Sequence, residues 1–288
     1  HSEFVPLFNP FQSYFDHLPS WDGVSDPIGD LADTVHVKSD QAEFRDYFRK
    51  WFVGILPALL DDTVVNHEIL VLIGEQGLYK TTWFNFLLPP ELRCYFYTKT
   101  NSDRLNKDDL FSLTEFALIC FEELDGMRPA ELNQLKAMVT MPYVNERAAY
   151  GRNKERHPHI ASFCGTGNNV QFLTDPTGNR RWLPFEVSQI RDPHLHAIPY
   201  ELVYSQAYAL WKSGFCHWFS QEEIRKLNMH NSRFEVPNLE EDLIRTHFRK
   251  PFEGEAGIFV TAADILEQIS SCLRYPLSPN KIGRIMAG

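Results

Sequence analysis

The residues best suited to chemistry begin at Gly74, where the apolar run EILVLIG gives way to GEQGLYKTT. A buried strand, a glycine-bearing turn and Lys-Thr opening a helix is an arrangement that captures phosphate. The turn of Gly74, Glu75, Gln76, Gly77, Leu78 and Tyr79 would aim backbone N–H groups at phosphate oxygens, helped by the dipole of the helix entered through Lys80, Thr81 and Thr82. Lys80 would reach the β- and γ-phosphates of ATP, and Thr81 would place its hydroxyl on Mg²⁺. The residue before the lysine is usually glycine, which relaxes the backbone there. Tyr79 is therefore expected to reshape the loop or weaken binding.

A second apolar run, FALICF, closes in Glu122-Glu123, with Asp125 in reserve. One carboxylate of such a pair holds Mg²⁺ through water and the other polarises the attacking water. Glu122 is assigned to the metal and Glu123 to the water, or the reverse; a solvated strand end is the plain alternative. HIASFC then runs into GTGNN, where the amide of Asn168 can donate to phosphate and accept from water. Arg180 and Arg181 precede the apolar run WLPFEV. Arginine neutralises charge on a transferring phosphoryl group, often from a neighbouring subunit. Arg180 is the expected finger and Arg181 its inward-facing partner.

These residues need a scaffold, and the chain can build one. Its 288 residues, 43% hydrophobic, suffice for one large α/β domain with a small appendage. No run approaches the roughly 20 apolar residues that cross a bilayer. The cysteines at 94, 120, 164, 216 and 272 form no CxxC pair, which suits reduced thiols in a cytoplasm and argues against zinc. The net charge of −10 excludes a uniformly basic surface but not a local basic channel. The chain starts at His1 without methionine and ends in KIGRIMAG, as a piece of a longer protein would.

The spacing predicts helices over the first sixty residues, with Asn9-Pro10 and Asp40 as start signals. Phe44, Phe48, Trp51 and Phe52 form a core-facing stripe. Strands are expected at EILVLIG, CYFYT, FALICF, HIASFC and WLPFEV, alternating with crossovers in a mostly parallel sheet. Helices return after Tyr200, with Gly214 as a C-terminal stop and Ser220/Glu223 as a capping box. NSRFEVPNLEED reads as a boundary. Beyond it come a short strand, IFVT, a capping box at Thr261/Asp264 and a helix from Ser278-Pro279, resembling the start of a winged helix. The expected divisions are an N-terminal helical region at 1–66, a P-loop core at 67–190, a helical lid at 191–236 and a winged-helix-like segment at 237–288.

Taken together, GEQGLYKTTW, FEELDG, YGRNKERHPHIASFCGTGNN and FLTDPTGNRRWLPFEV resemble the virulence-associated E family. That family is grouped with superfamily 3 helicases and poxvirus-type primase-helicases. The resemblance covers roughly 9–187 and the helical segment after it. It implies an AAA+-like P-loop NTPase fold with an N-terminal helical collar, and ATP hydrolysis coupled to handling single-stranded or forked DNA. It also implies a homo-oligomeric ring, such as a hexamer, and a linked primase domain. Related helicases carry a hairpin just before the strand that leads to the polar residue, here Asn168, which makes the basic cluster with Arg152, Lys154, Arg156 and His157 a DNA-binding segment. Lys154 and Arg156 would contact phosphates and Tyr150 would stack on a base; a solvated charged loop is the plain alternative. Two rivals stand beside this reading: a nucleotide-gated scaffold in which Tyr79 blocks hydrolysis, and a DNA-binding module without nucleotide.

Overall fold

A computed structural model describes residues 8–100, 107–146, 155–174, 179–237, 239–249, 252, 254–270 and 279–287. Three helices, α1 (Pro10–Asp16), α2 (Pro27–Ala32) and α3 (Gln41–Leu60), open the chain, with a short strand, β1 (Val35–Val37), before the third. The alternating part follows: β2 (Ile69–Ile73), α4 (Lys80–Leu87), β3 (Phe96–Lys99), α5 (Lys107–Glu115), β4 (Leu118–Phe121) and α6 (Pro129–Val139). Next come β5 (Tyr143–Glu146), β6 (Glu155–Pro158), β7 (Ser162–Gly167), β8 (Trp182–Ile190), α7 (Tyr200–Lys212) and α8 (Gln221–Asn231). Three helices finish the chain: α9 (Leu239–His247), α10 (Ala262–Ser270) and α11 (Pro279–Ala287).

The main sheet has the order β1-β8-β2-β7-β4-β3. All neighbours are parallel except β1, which pairs antiparallel with β8 and carries a register shift between His36 and Val37. A mixed α/β chain with a mostly parallel central sheet is thus observed. The first sixty residues are not wholly helical, because β1 adds an edge strand too short for its periodicity to register.

Every residue of β2 is buried, and alternation divides its side chains between two cores. Leu70 and Leu72 join the aromatic stripe of α3 with Trp83 and Phe84 of α4. Ile69, Val71 and Ile73 face Leu132, Leu135 and Val139 of α6. Helices therefore cover both faces, the condition a parallel sheet requires. The α3 stripe is anchored by one directional contact: the Trp51 indole N–H donates to the Phe163 carbonyl of β7 at 2.9 Å.

The helix-start signals have the expected geometry. Asn9 accepts from the amides of Phe11 and Gln12, and Asp40 from those of Ala42 and Glu43. Ser220 and Glu223 close a capping box, and Gly214 takes a positive φ of 82° after α7. The chain divides into two compact units, 1–235 and 236–288. In the second, Ile244, Ile265, Ile269 and Ile282 form a small core, and Thr261 and Asp264 cap α10 reciprocally. The strand expected at IFVT is not found: Ile258 and Phe259 are exposed and unpaired with any strand among the described residues. An isolated apolar run has no ladder to join there.

Candidate functional site

The C-terminal ends of β2, β4 and β7 converge on a cleft of about 360 Å³. It is lined by 76–82 of the glycine-bearing turn together with Glu122, Glu123, Thr166, Gly167 and Asn168. Thr166 had no signal in the sequence beyond its place at the end of an apolar run.

The turn is fixed at its start by the Gly74 amide, which donates to Gly167 O of β7 at 3.1 Å. A Cβ at Gly74 would lie 2.9 Å from Val187 O, so a side chain there would collide with β8. Farther along, Gly77 (φ 84°) and Tyr79 (φ 60°, ψ 18°) are both left-handed. Tyr79 thus takes a left-handed backbone that glycine adopts freely, at a strain of about 1–2 kcal/mol. Its ring is partly exposed at the cleft, and its carbonyl accepts the first bond of α4, from the Trp83 amide at 2.7 Å.

Lys80 is buried at the first position of α4. Its ammonium donates to Gly74 O at 2.6 Å, to Glu75 O at 2.7 Å and to Asn168 Oδ1 at 3.4 Å. Burial holds it below the usual lysine range, and the Asp125 carboxylate opposes that shift. Gly74 and Glu75 thus serve through their carbonyls rather than by lining the cleft. Beside the lysine, the Thr81 hydroxyl donates to Glu122 Oε1 at 2.8 Å. Two hard oxygen donors from α4 and β4 therefore meet at one point, a set that suits Mg²⁺ completed by phosphate and water. Among the described residues, no cluster of three or more His, Cys, Asp or Glu is placed to hold a metal.

Directly after Glu122 the chain turns sharply, with Glu123 left-handed at φ 54°. Tyr79 and Glu123 are the non-glycine residues with positive φ among the described residues, and both line the cleft. Strain of this kind concentrates at functional sites. Asp125, two residues on, accepts from the backbone amides of Asn168 and Asn169, each at 3.1 Å.

Arg180 and Arg181 lie elsewhere in their own chain. They enter β8 at Trp182, which pairs with Ile69, whereas the cleft end of β2 pairs Ile73 with Glu186. Trp182 is about 13 Å from the cleft end along the strand, and the two arginines lie beyond it, at the opposite end of the strands. Arg180 is exposed; Arg181 is half-buried, and burial followed by the like charge of Arg180 lowers its pKa while Glu68 opposes.

The segment before β7 forms an antiparallel two-stranded ladder, from Tyr143↔Pro158 to Glu146↔Glu155. The exposed Arg156 guanidinium lies 3.5 Å from the centroid of the Tyr143 ring. His157 is half-buried and pairs with Val144. Tyr150, Arg152 and Lys154 lie outside the described residues. No helix among the described residues is long and apolar enough to cross a membrane.

Comparison with known proteins gives one family match: the virulence-associated protein E-like domain, over residues 16–236. No curated protein matches significantly. Among solved structures, "The apo structure of NrS-1 C terminal region (305-718)" is similar at a TM-score of 0.49 and 13% identity, covering 80% of this chain and 56% of that one. An A-form apo structure of the same region gives 0.49 and 13%, covering 80% and 55%. The chain spans about half the length of these structures.

Proposed function

The chain belongs to the virulence-associated protein E-like family, and on that premise we propose that it is the P-loop ATPase motor of a primase-helicase. The observation that carries this reading is the meeting of Lys80, Thr81, Glu122 and Asn168 in one cleft at the start of α4. The strand order supports it too, since β7, which leads directly into Asn168, lies between the turn-bearing β2 and the acid-bearing β4.

In this reading the amides of the turn and of the α4 N-terminus receive the phosphates of ATP. Lys80 exchanges its two loop carbonyls for β- and γ-phosphate oxygens. The Thr81 hydroxyl and Glu122 hold Mg²⁺, which offsets phosphate charge when bound. Glu123, directed by its left-handed turn, orients the attacking water, and Asn168 contacts the γ-phosphate. Arg180 completes the site of the next subunit in a ring, consistent with its place far from its own cleft. Lys80→Ala subunits mixed with Arg180→Ala subunits should then recover activity, and no recovery in demonstrably mixed rings removes the arginine from this role. The ladder of β5 and β6 grips the DNA backbone through Arg156 and His157; Arg152 and Lys154, outside the described residues, add phosphate contacts, and Tyr150, also outside them, stacks on a base.

A second reading is carried by Tyr79: a chain that binds nucleotide without hydrolysing it and acts as a gated scaffold. Phosphate release from MgATP, with and without single-stranded DNA, separates the two. Release that rises with DNA supports the motor; tight MgATP binding with no release supports the scaffold; neither binding nor release rejects both.

A further inference from the structure

The turn that follows the acid pair docks onto the end of β7 through two glycines. A Cβ at Gly165 would collide with the Leu124 side chain, and one at Gly167 would lie 3.0 Å from Asp125 Oδ1. Leu124 thus fills the recess over Gly165, and Asp125 reaches past Gly167 to the chain beyond it. There its two oxygens divide their work: Oδ1 accepts from the Asn168 amide and Oδ2 from the Asn169 amide. A carboxylate accepting two N–H bonds is a strong and directional brace. The braced residue is the one whose side-chain oxygen faces Lys80 Nζ at 3.4 Å.

We propose that Asp125 is a positioning residue, whose carboxylate holds Asn168 against Lys80 of the glycine-bearing turn and so ties the acid-bearing turn to the end of β7. This deepens the ATPase reading and rests on it for its kinetic consequence, but not for its geometry. Asp125 touches no phosphate in this account; it acts through Asn168. Its asparagine replacement keeps one acceptor and turns the other into a donor facing an N–H, so Asp125→Asn should retain only part of the brace.

The experiment is a double-mutant cycle on the full chain. Asp125→Ala should lower kcat for MgATP about ten-fold with KM within about three-fold, and Asp125→Asn should fall between it and the parent. In an Asn168→Ala background, Asp125→Ala should have little further effect, because residues acting as one unit are non-additive. Independent, multiplying losses would overturn the proposal. In parallel, hydrogen exchange at the Asn168 and Asn169 amides is read without nucleotide. Faster exchange in Asp125→Ala is expected, and unchanged protection overturns the brace whether or not the chain hydrolyses ATP. A parent that releases no phosphate, yet loses amide protection in Asp125→Ala, counts against the ATPase reading and leaves the brace standing.

Discussion

The Thr81 hydroxyl donates to Glu122 Oε1 at 2.8 Å, joining the first turn of α4 to the end of β4. A hydroxyl and a carboxylate so placed can share a cation without rearranging the backbone. Thr81→Ala should therefore weaken MgATP binding about ten-fold, while Mg²⁺-free binding stays within about three-fold. Thr81→Ser should behave like the parent. Calorimetric titration with and without Mg²⁺ checks this, and equal losses in both conditions would contradict the metal-side role.

Tyr79 occupies a left-handed position that only glycine adopts without strain. Tyr79→Gly relieves that strain but frees the unfolded chain, for a net gain of up to about 1 kcal/mol. In a unit of this size that is about 2–4 °C in Tm. Phosphate release should rise as well. A lower Tm by thermal melting would mean that the ring makes stabilising contacts that outweigh the backbone strain.

These two positions illustrate what the sequence could carry. A glycine-bearing turn after a buried run, acids closing another, and capping residues at Asn9, Asp40 and Ser220 are local signals, and each has a local counterpart in the structure. The hand of Tyr79 is also local, but residue type concealed it. Asp125 is legible only as a spare acid, because its partners lie just past the end of β7 and nothing in the order of residues says that β7 adjoins β4. The edge strand β1 has too few residues to show alternation. The run IFVT shows the reverse failure, since strand-forming residues make a strand only where a neighbour offers hydrogen bonds.

Burial pushes the carboxyl of Glu68 up to about 7, against the opposing charges of Lys50 and Arg180. Between its ordinary 4.5 and that value, the folded chain keeps a proton that the unfolded chain has lost. Stability from this group is thus complete below the lower value, falls as pH rises through the window, and is gone above it. Glu68→Gln stays neutral throughout. It should melt with the parent near pH 4 and above the parent near pH 8. A Tm difference independent of pH would show that Glu68 titrates normally in the fold.

On the hairpin, Arg156 is exposed and braced by the Tyr143 ring. A phosphate contact there releases counterions, so Arg156→Glu should weaken single-stranded DNA binding and reduce the slope of log affinity against log salt by about one. Fluorescence anisotropy across a salt series measures both. An unchanged slope would place the DNA contact elsewhere.

The nucleotide site is tested most directly by the affinity of the chain for MgATP before and after Lys80→Ala, measured by calorimetry on proteins shown to melt cooperatively. Lys80 is the buried cation of the cleft, held by Gly74 O and Glu75 O and facing Asn168. Removing it deletes charge-assisted bonds to the β- and γ-phosphates, so affinity should fall by about 100-fold or more. Equal MgATP affinity in the parent and in Lys80→Ala would contradict the account and move the nucleotide out of this cleft.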